Sequence, residues 1–162
     1  MSARVPVLVL NGPNLNTLGA RQPSVYGRMT LSDIEAMCSR YAHSLDFDLS
    51  FRQSNDEGKL VTWVQESQLS YKGLIVNMAA YSHTSIALMD ALLSTQAPTI
   101  EVHLSNVHKR ESFRHRSYVS RAVHATISGM GGYGYVLALQ ALHHLLADHT
   151  VKDQNHEQDT YR

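Results

Sequence analysis

Pro98-Thr99-Ile100-Glu101-Val102-His103-Leu104-Ser105-Asn106 is the stretch from which the fold can be read. Its first half is short, rich in β-branched residues and opened by a proline, the pattern of a strand buried on both faces. A strand needed only for the core would not carry Glu101 and His103. Side chains at i and i+2 leave a strand on the same face, so the carboxylate and the imidazole are neighbours and one can orient or tune the other. A lone histidine here would be read as a satisfied core residue. With Glu101 before it and the Leu104-Ser105-Asn106 exit after it, the strand instead ends on a polar opening. In open α/β sheets, that is where ligands bind.

Outward from this strand the pattern repeats. Residues 5–10 form an apolar strand with Pro6 near its start, broken by Asn11-Gly12-Pro13-Asn14. Residues 49–53, 73–77 and 123–128 supply three more strands. Thr30 caps a helix carrying Leu31, Ile34, Met37, Tyr41 and Leu45. Ser54 or Asn55 caps the next, with Leu60, Val61 and Val64 inward; Ser82, Thr84 or Ser85 caps another, with Ile86, Met89, Leu92 and Leu93. Residues 129–134 lead into a last helix with Leu137, Leu139, Leu142 and Leu145. Strands alternating with helices predict an α/β protein, flavodoxin-like, with a five-stranded parallel sheet and helices on both faces. Residues 1–148 are expected to form one domain, and residues 149–162 a polar C-terminal tail that frays.

Composition narrows the function. The 162 residues carry 14 Lys plus Arg and 14 Asp plus Glu, a net charge of zero, so no global field attracts nucleic acid or an anionic membrane. The predominance of Arg over Lys weakly favours forked recognition of anions. The single cysteine, Cys38, excludes a disulfide framework within the chain and fits a reduced, cytoplasmic setting. The apolar run at the start is too short for a signal-peptide core, and no run approaches a membrane span.

One connection is anomalous. Residues 11–29 make a loop of 19 residues where most strand-to-helix loops have about 2–6. It holds Asn14, Asn16, Arg21 and Tyr26, with Gly12, Gly19 and Gly27 as pivots, and reads as a lid over the site. The strand ends supply Asn77, then Tyr81, Ser82 and His83, and His103, Leu104 and Ser105, with Arg114 in the next loop. This set suits a small polyhydroxylated acid. A phenol with a pKa of about 10 is a weak base, but an adjacent guanidinium favours the phenolate. Arg21 and Tyr26 can form that pair opposite His103, giving two titratable groups fit to remove a C–H proton and expel a hydroxyl. The residues alone equally allow Tyr26 to pack the loop and Arg21 to be solvated.

Together these motifs resemble a known family. Val9-Leu10-Asn11-Gly12-Pro13-Asn14-Leu15-Asn16, Leu18-Gly19, Arg21 and Tyr26-Gly27 look like the opening of type II 3-dehydroquinate dehydratases. Gln53-Ser54-Asn55, Glu57-Gly58, Tyr81, His83-Thr84-Ser85, Asp90-Ala91-Leu92, residues 101–106, Phe113-Arg114-His115 and Gly134-Tyr135 continue the likeness in order over residues 5–147. The resemblance implies a flavodoxin-like fold and reversible dehydration of 3-dehydroquinate to 3-dehydroshikimate, with no metal, cofactor or covalent imine. It implies that Tyr26, as phenolate, removes the proton next to the ketone, that Arg21 stabilises that phenolate, that Asn16 helps to hold the enolate, and that His103 protonates the departing hydroxyl. Asn77, His83 and Arg114 would bind ring hydroxyls, the backbone at Leu104 and Ser105 the carboxylate, and Glu101 would support His103.

Asp90, seven residues after His83 and so about 10 Å along a shared helix, would serve a neighbouring subunit's site in a dodecamer built from trimers. The likeness leaves open whether the reaction serves aromatic biosynthesis in the shikimate pathway or quinate breakdown. The chain departs from the family at Met78-Ala79-Ala80, where Pro-Gly-Ala or a near variant is usual, and at Asp56 and Met89, where His and Arg are common. Losing Pro and Gly after the third strand changes the turn's backbone options.

Rival readings have less support. Residues 129–134 match G-x-G-x-x-G but sit in the last strand–helix unit, with no strand after them to carry the ribose-binding acid; tight helix–sheet packing explains the glycines. His103, His108 and His115, or His143, His144, His149 and His156, could be imagined around a metal, but none has H-E-x-x-H or C-x-x-C company. A non-enzymatic flavodoxin-like binding module would account for the sheet and the polar pocket but not for a Tyr–Arg lid facing a strand-end histidine.

Overall fold

In the computed structural model, residues 3–20 and 22–159 are described, with the side chains of Tyr26 and of residues 149–159 left aside. Five parallel strands form one sheet: β1 (Val5–Asn11), β2 (Phe47–Gln53), β3 (Gly73–Asn77), β4 (Thr99–His103) and β5 (Ala125–Ser128). Their order is β2-β1-β3-β4-β5, the doubly wound order in which the chain reverses direction between β1 and β3. The expected flavodoxin-like sheet is therefore present.

Alternation along the strands assigns the two cores. Val7 and Val9 of β1, Ile75 of β3, and Ile100 and Val102 of β4 face one side, where they meet Ile34, Cys38 and Ala42 of α2 (Leu31–Ser44) and Tyr135, Ala138, Leu139 and Leu142 of α5 (Tyr133–Asp159). Leu8, Leu10, Leu74 and Val76 face the other, against Leu60 and Val64 of α3 (Glu57–Ser70) and Leu88 and Leu92 of α4 (Ile86–Leu93). The central strands β3 and β4 are buried along their whole length, while the edge strand β5 is not. Each fully buried Leu, Ile or Val on these faces stabilises the fold by about 1.5–3 kcal/mol relative to exposure.

Helix starts follow side-chain chemistry. Thr30 caps α2 in a full capping box, accepting from the Asp33 N–H at 3.1 Å while Asp33 accepts from the Thr30 N–H at 2.9 Å. Ser85, one of the three candidates, caps α4. The cap of α3 is Asp56 rather than Ser54 or Asn55; its carboxylate accepts from the Lys59 N–H, and Ser54 is spent one turn earlier on the Asp56 N–H. The buried stripe of α2 runs through Ile34, Cys38 and Ala42, leaving Tyr41 exposed. Of the α4 residues expected to face inward, Leu92 is buried and Met89 half-buried, but Ile86 and Leu93 lie exposed, because the short helix turns only one narrow stripe to the sheet. The backbone of α5 is helical to Asp159. Among the described residues no helix is long and apolar enough to cross a membrane.

The long first connection is more structured than a bare loop. Leu15 and Leu18 are buried and pin a 3-10 turn (Leu15–Thr17) to the core, and the remainder of the connection follows Gly19. That part contains a single helical turn, α1 (Pro23–Tyr26), between Gly19 (φ 89°) and Gly27 (φ 79°). Gly12 is not a pivot. It is buried where β1 and β3 end side by side, and a Cβ there would run into the backbone of Met78.

Candidate active site

The cleft lies where the carboxyl ends of β1, β3 and β4 converge, at the reversal point of the sheet. The exit of β1 contributes Pro13, Asn14, Leu15 and Leu18; that of β3, Asn77, Ala79, Ala80 and His83; that of β4, His103, Leu104 and Ser105. Val107, Arg110 and Arg114 close the far side from the connection after β4. The lining mixes apolar side chains with a few polar and charged ones, the usual composition of a small-molecule site.

The strand-end pair is formed as its spacing requires. Glu101 is fully buried, His103 is nearly so, and His103 Nε2 stands 2.8 Å from Glu101 Oε1. A carboxylate only accepts, so Nε2 carries the proton and the ring's Nδ1 is left for other work. Burying a carboxylate is costly unless its lone pairs are filled. Here Ser117 donates to Oε1 at 2.7 Å and Ser120 to Oε2 at 2.6 Å, with Thr126 at 3.3 Å. Burial by itself would raise the Glu101 carboxyl. The hydrogen bond and charge of His103, then Ser120 and Ser117, outweigh it and hold the group below its ordinary 4.5. Glu101 is thus a fixed anion that can stabilise a protonated His103.

His83 stacks on His103, with ring centroids 6.0 Å apart and planes 20° from parallel. Its Nδ1 lies 2.7 Å from the Arg116 carbonyl, which can only accept, so Nδ1 bears the hydrogen and Nε2 is an acceptor. Burial pushes His83 below its ordinary value; His103 and Arg114 add to this, while the Arg116 hydrogen bond and Glu101 oppose it. The site therefore pairs a neutral imidazole with one backed by a carboxylate. Beyond them the Glu111 carboxylate accepts from Arg114 Nε at 2.9 Å and meets Arg110 Nε at 3.4 Å, while Arg110 Nη1 donates to Ser105 Oγ at 3.2 Å.

Asn77, Leu104, Ser105, His83, His103 and Arg114 are all brought to the one cleft, with Glu101 directly behind His103. Asn16 is not. It is exposed and its Oδ1 lies 3.5 Å from Gln53 Nε2, whereas Asn14, two residues earlier, lines the cleft. The reason is the left-handed Asn14 (φ 67°), which starts the 3-10 turn and carries Asn16 away from the opening. Asp90 also lies off the cleft, exposed on α4; it does not share a helix with His83, which ends a separate 3-10 turn (Ala79–His83). Arg21 and the side chain of Tyr26 lie outside the described residues. Arg110 was not singled out from the sequence, and Asn14 was named there only as one residue of the long loop, without a role of its own. Arg110 could have been found as a second guanidinium four residues before Arg114. Among the described residues no three His, Cys, Asp or Glu side chains gather as a metal would need, and Gly134 packs against Val102 and Ile127 as helix–sheet contact requires.

The chain is similar to known proteins along most of its length. A family model described as dehydroquinase class II matches residues 5–143. A 3-dehydroquinate dehydratase of Sinorhizobium medicae is 53% identical over 139 residues, covering 86% of this chain and 94% of the relative. One from Streptomyces coelicolor is 49% identical over 141 residues, covering 86% and 90%. The crystal structure of type II dehydroquinase from Propionibacterium acnes superposes with a TM-score of 0.83 at 44% identity, over 88% of this chain and 97% of that one. That from Butyrivibrio crossotus gives 0.85 at 38%, over 87% and 99%. With a family model matched over residues 5–143 and relatives at about half identity along most of their length, the chain belongs to the class II dehydroquinases.

Proposed function

We propose that this cleft removes water reversibly from 3-dehydroquinate to give 3-dehydroshikimate, through an enolate. The observation that carries the reading is the buried Glu101–His103 pair, set at the end of β4 and opening on a cleft built from three strand ends. Relatives at about half identity bear the name of that activity. Tyr26, as phenolate beside Arg21, takes the proton from the carbon next to the ketone. The enolate oxygen is held by an amide of the first loop. Asn14 is the amide that lines the cleft, so the role expected of Asn16 passes to it. His103, protonated and backed by Glu101, gives its proton to the departing hydroxyl, which leaves as water. His83 Nε2, Asn77 and Arg114 take ring hydroxyls, and the backbone of Leu104 and Ser105 takes the carboxylate. No step calls for a metal or an organic cofactor.

The same reading makes the protein a homo-oligomer, a dodecamer of trimers, in which Asp90 reaches a neighbour's cleft. Supporting it, Ile86 is 53% and Leu93 57% exposed on α4 beside Asp90, and Asp90 has no ion pair among the described residues.

The product is a conjugated enone, so purified protein with 3-dehydroquinate should raise ultraviolet absorbance. Tyr26→Phe should cut kcat by roughly 100-fold or more while binding persists. No absorbance change with the unaltered protein would sink the reading and favour a ligand-binding module.

A further inference from the structure

Tyr135 enters no step of the reaction, yet its buried hydroxyl is hydrogen-bonded on two sides. The side chain is fully buried on α5, among the largest such residues. A buried hydroxyl costs stability unless it is hydrogen-bonded, and a phenyl ring would fill the same space. Here the hydroxyl bridges two asparagines that are register partners at the ends of β1 and β3, Asn11 and Asn77.

The bonds run in one direction. Asn11 Nδ2 donates to the Arg52 carbonyl at 3.1 Å, which can only accept, so Asn11 Oδ1 is the atom turned to Tyr135. Tyr135 must then donate to it, at 2.6 Å, and can only accept from Asn77 Nδ2, at 2.9 Å. That leaves Asn77 Oδ1 to accept from the Ala79 N–H at 3.2 Å. Ala79 carries φ 49°, a left-handed conformation that alanine adopts reluctantly, and it lines the cleft.

We propose that Tyr135 is a positioning residue: its hydroxyl fixes which end of the Asn77 amide faces the cleft and, through Asn77, the turn at Ala79. The proposal rests on the reading of this cleft as the dehydration site. Asn77 keeps one N–H and one lone pair for a ligand hydroxyl, and a flipped amide would set its NH2 group against the Ala79 N–H.

The test is a double-mutant cycle with 3-dehydroquinate. Tyr135→Phe should raise KM about 3- to 10-fold, the weight of one neutral hydrogen bond, with a smaller change in kcat. The double variant with Asn77→Ala should be no worse than Asn77→Ala alone, because both act through one amide. An unchanged KM in Tyr135→Phe, or additive losses, would overturn it. If Tyr135→Phe does not fold, the unaltered protein still decides by nuclear magnetic resonance. The Asn77 side-chain amide, assigned by its loss in Asn77→Asp, should exchange slowly with solvent; exchange at the rate of a free amide overturns the proposal. Absence of turnover in the unaltered protein would instead count against the reaction, while the amide signal would still report on Tyr135.

Discussion

Glu101 and His103 act as one unit, and the difference between them is what makes the pair useful. Glu101 is held as an anion by a histidine and three hydroxyls, so it needs no proton at neutral pH and can support one on His103. Glu101→Gln keeps the shape and removes the charge. Hydrogen bonds to charged groups are worth about 1.5–3 kcal/mol, so kcat should fall on the order of 10- to 100-fold with little change in KM, as steady-state rates would show. Stability should follow pH in two stages. His83 has its folded value lowered from 6.5, so below about 6.5 the unfolded chain binds the proton first and stability drops as pH falls toward the folded value. Glu101, lowered from 4.5, adds a second loss below about 4.5. Urea midpoints measured from pH 7.5 to 4 should show both, and His83→Gln should remove the first; an unaltered slope between 6.5 and 5 would contradict the assignment. This pair was legible in the sequence because a strand has a period of two. Asn14 and Asn16 were not separable, because the choice between them rests on one left-handed residue, and local sequence permits either.

At the scale of elements, the turn after β3 shows how a missing glycine is tolerated. The family's usual glycine is Ala79 here, and the backbone keeps the left-handed φ all the same. Ala79→Gly should therefore stabilise the protein by about 0.5–1 kcal/mol, the gain from relieved strain less the added freedom of the unfolded chain. For a chain of this size that is a rise in Tm of roughly 1–4 °C, readable by calorimetry; a lower Tm would show that the turn is unstrained. Gly12→Ala should do the opposite, by about 2 kcal/mol or more, since its Cβ meets the Met78 backbone rather than a yielding side chain. Helix starts were half legible. Thr30 was readable from its capping box with Asp33, whereas three polar residues in a row before α3 left the choice to tertiary geometry, and Asp56 took it.

Across the whole molecule the sheet order places the ends of β1, β3 and β4 on one rim; strands alternating with helices made the parallel, doubly wound sheet legible in the chain, whereas the order of its strands is read from the structure. What covers the outer faces was less readable. Leu92 and Leu93 are both apolar and adjacent, but only packing shows that one is core and the other surface. If Leu93 and Ile86 meet another copy, Leu93→Lys should reduce the particle mass seen by light scattering while the circular dichroism stays unchanged. An undiminished mass would place the interface elsewhere.

Cys38 lies fully buried between α2 and the sheet, its thiol pushed up to about 12 by burial and then by Glu35. Reagents that attack thiolates will find almost none while the chain is folded. The protein is thus supplied with a built-in clock: the rate at which a disulfide dye captures that one sulfur counts how often this half of the molecule comes apart.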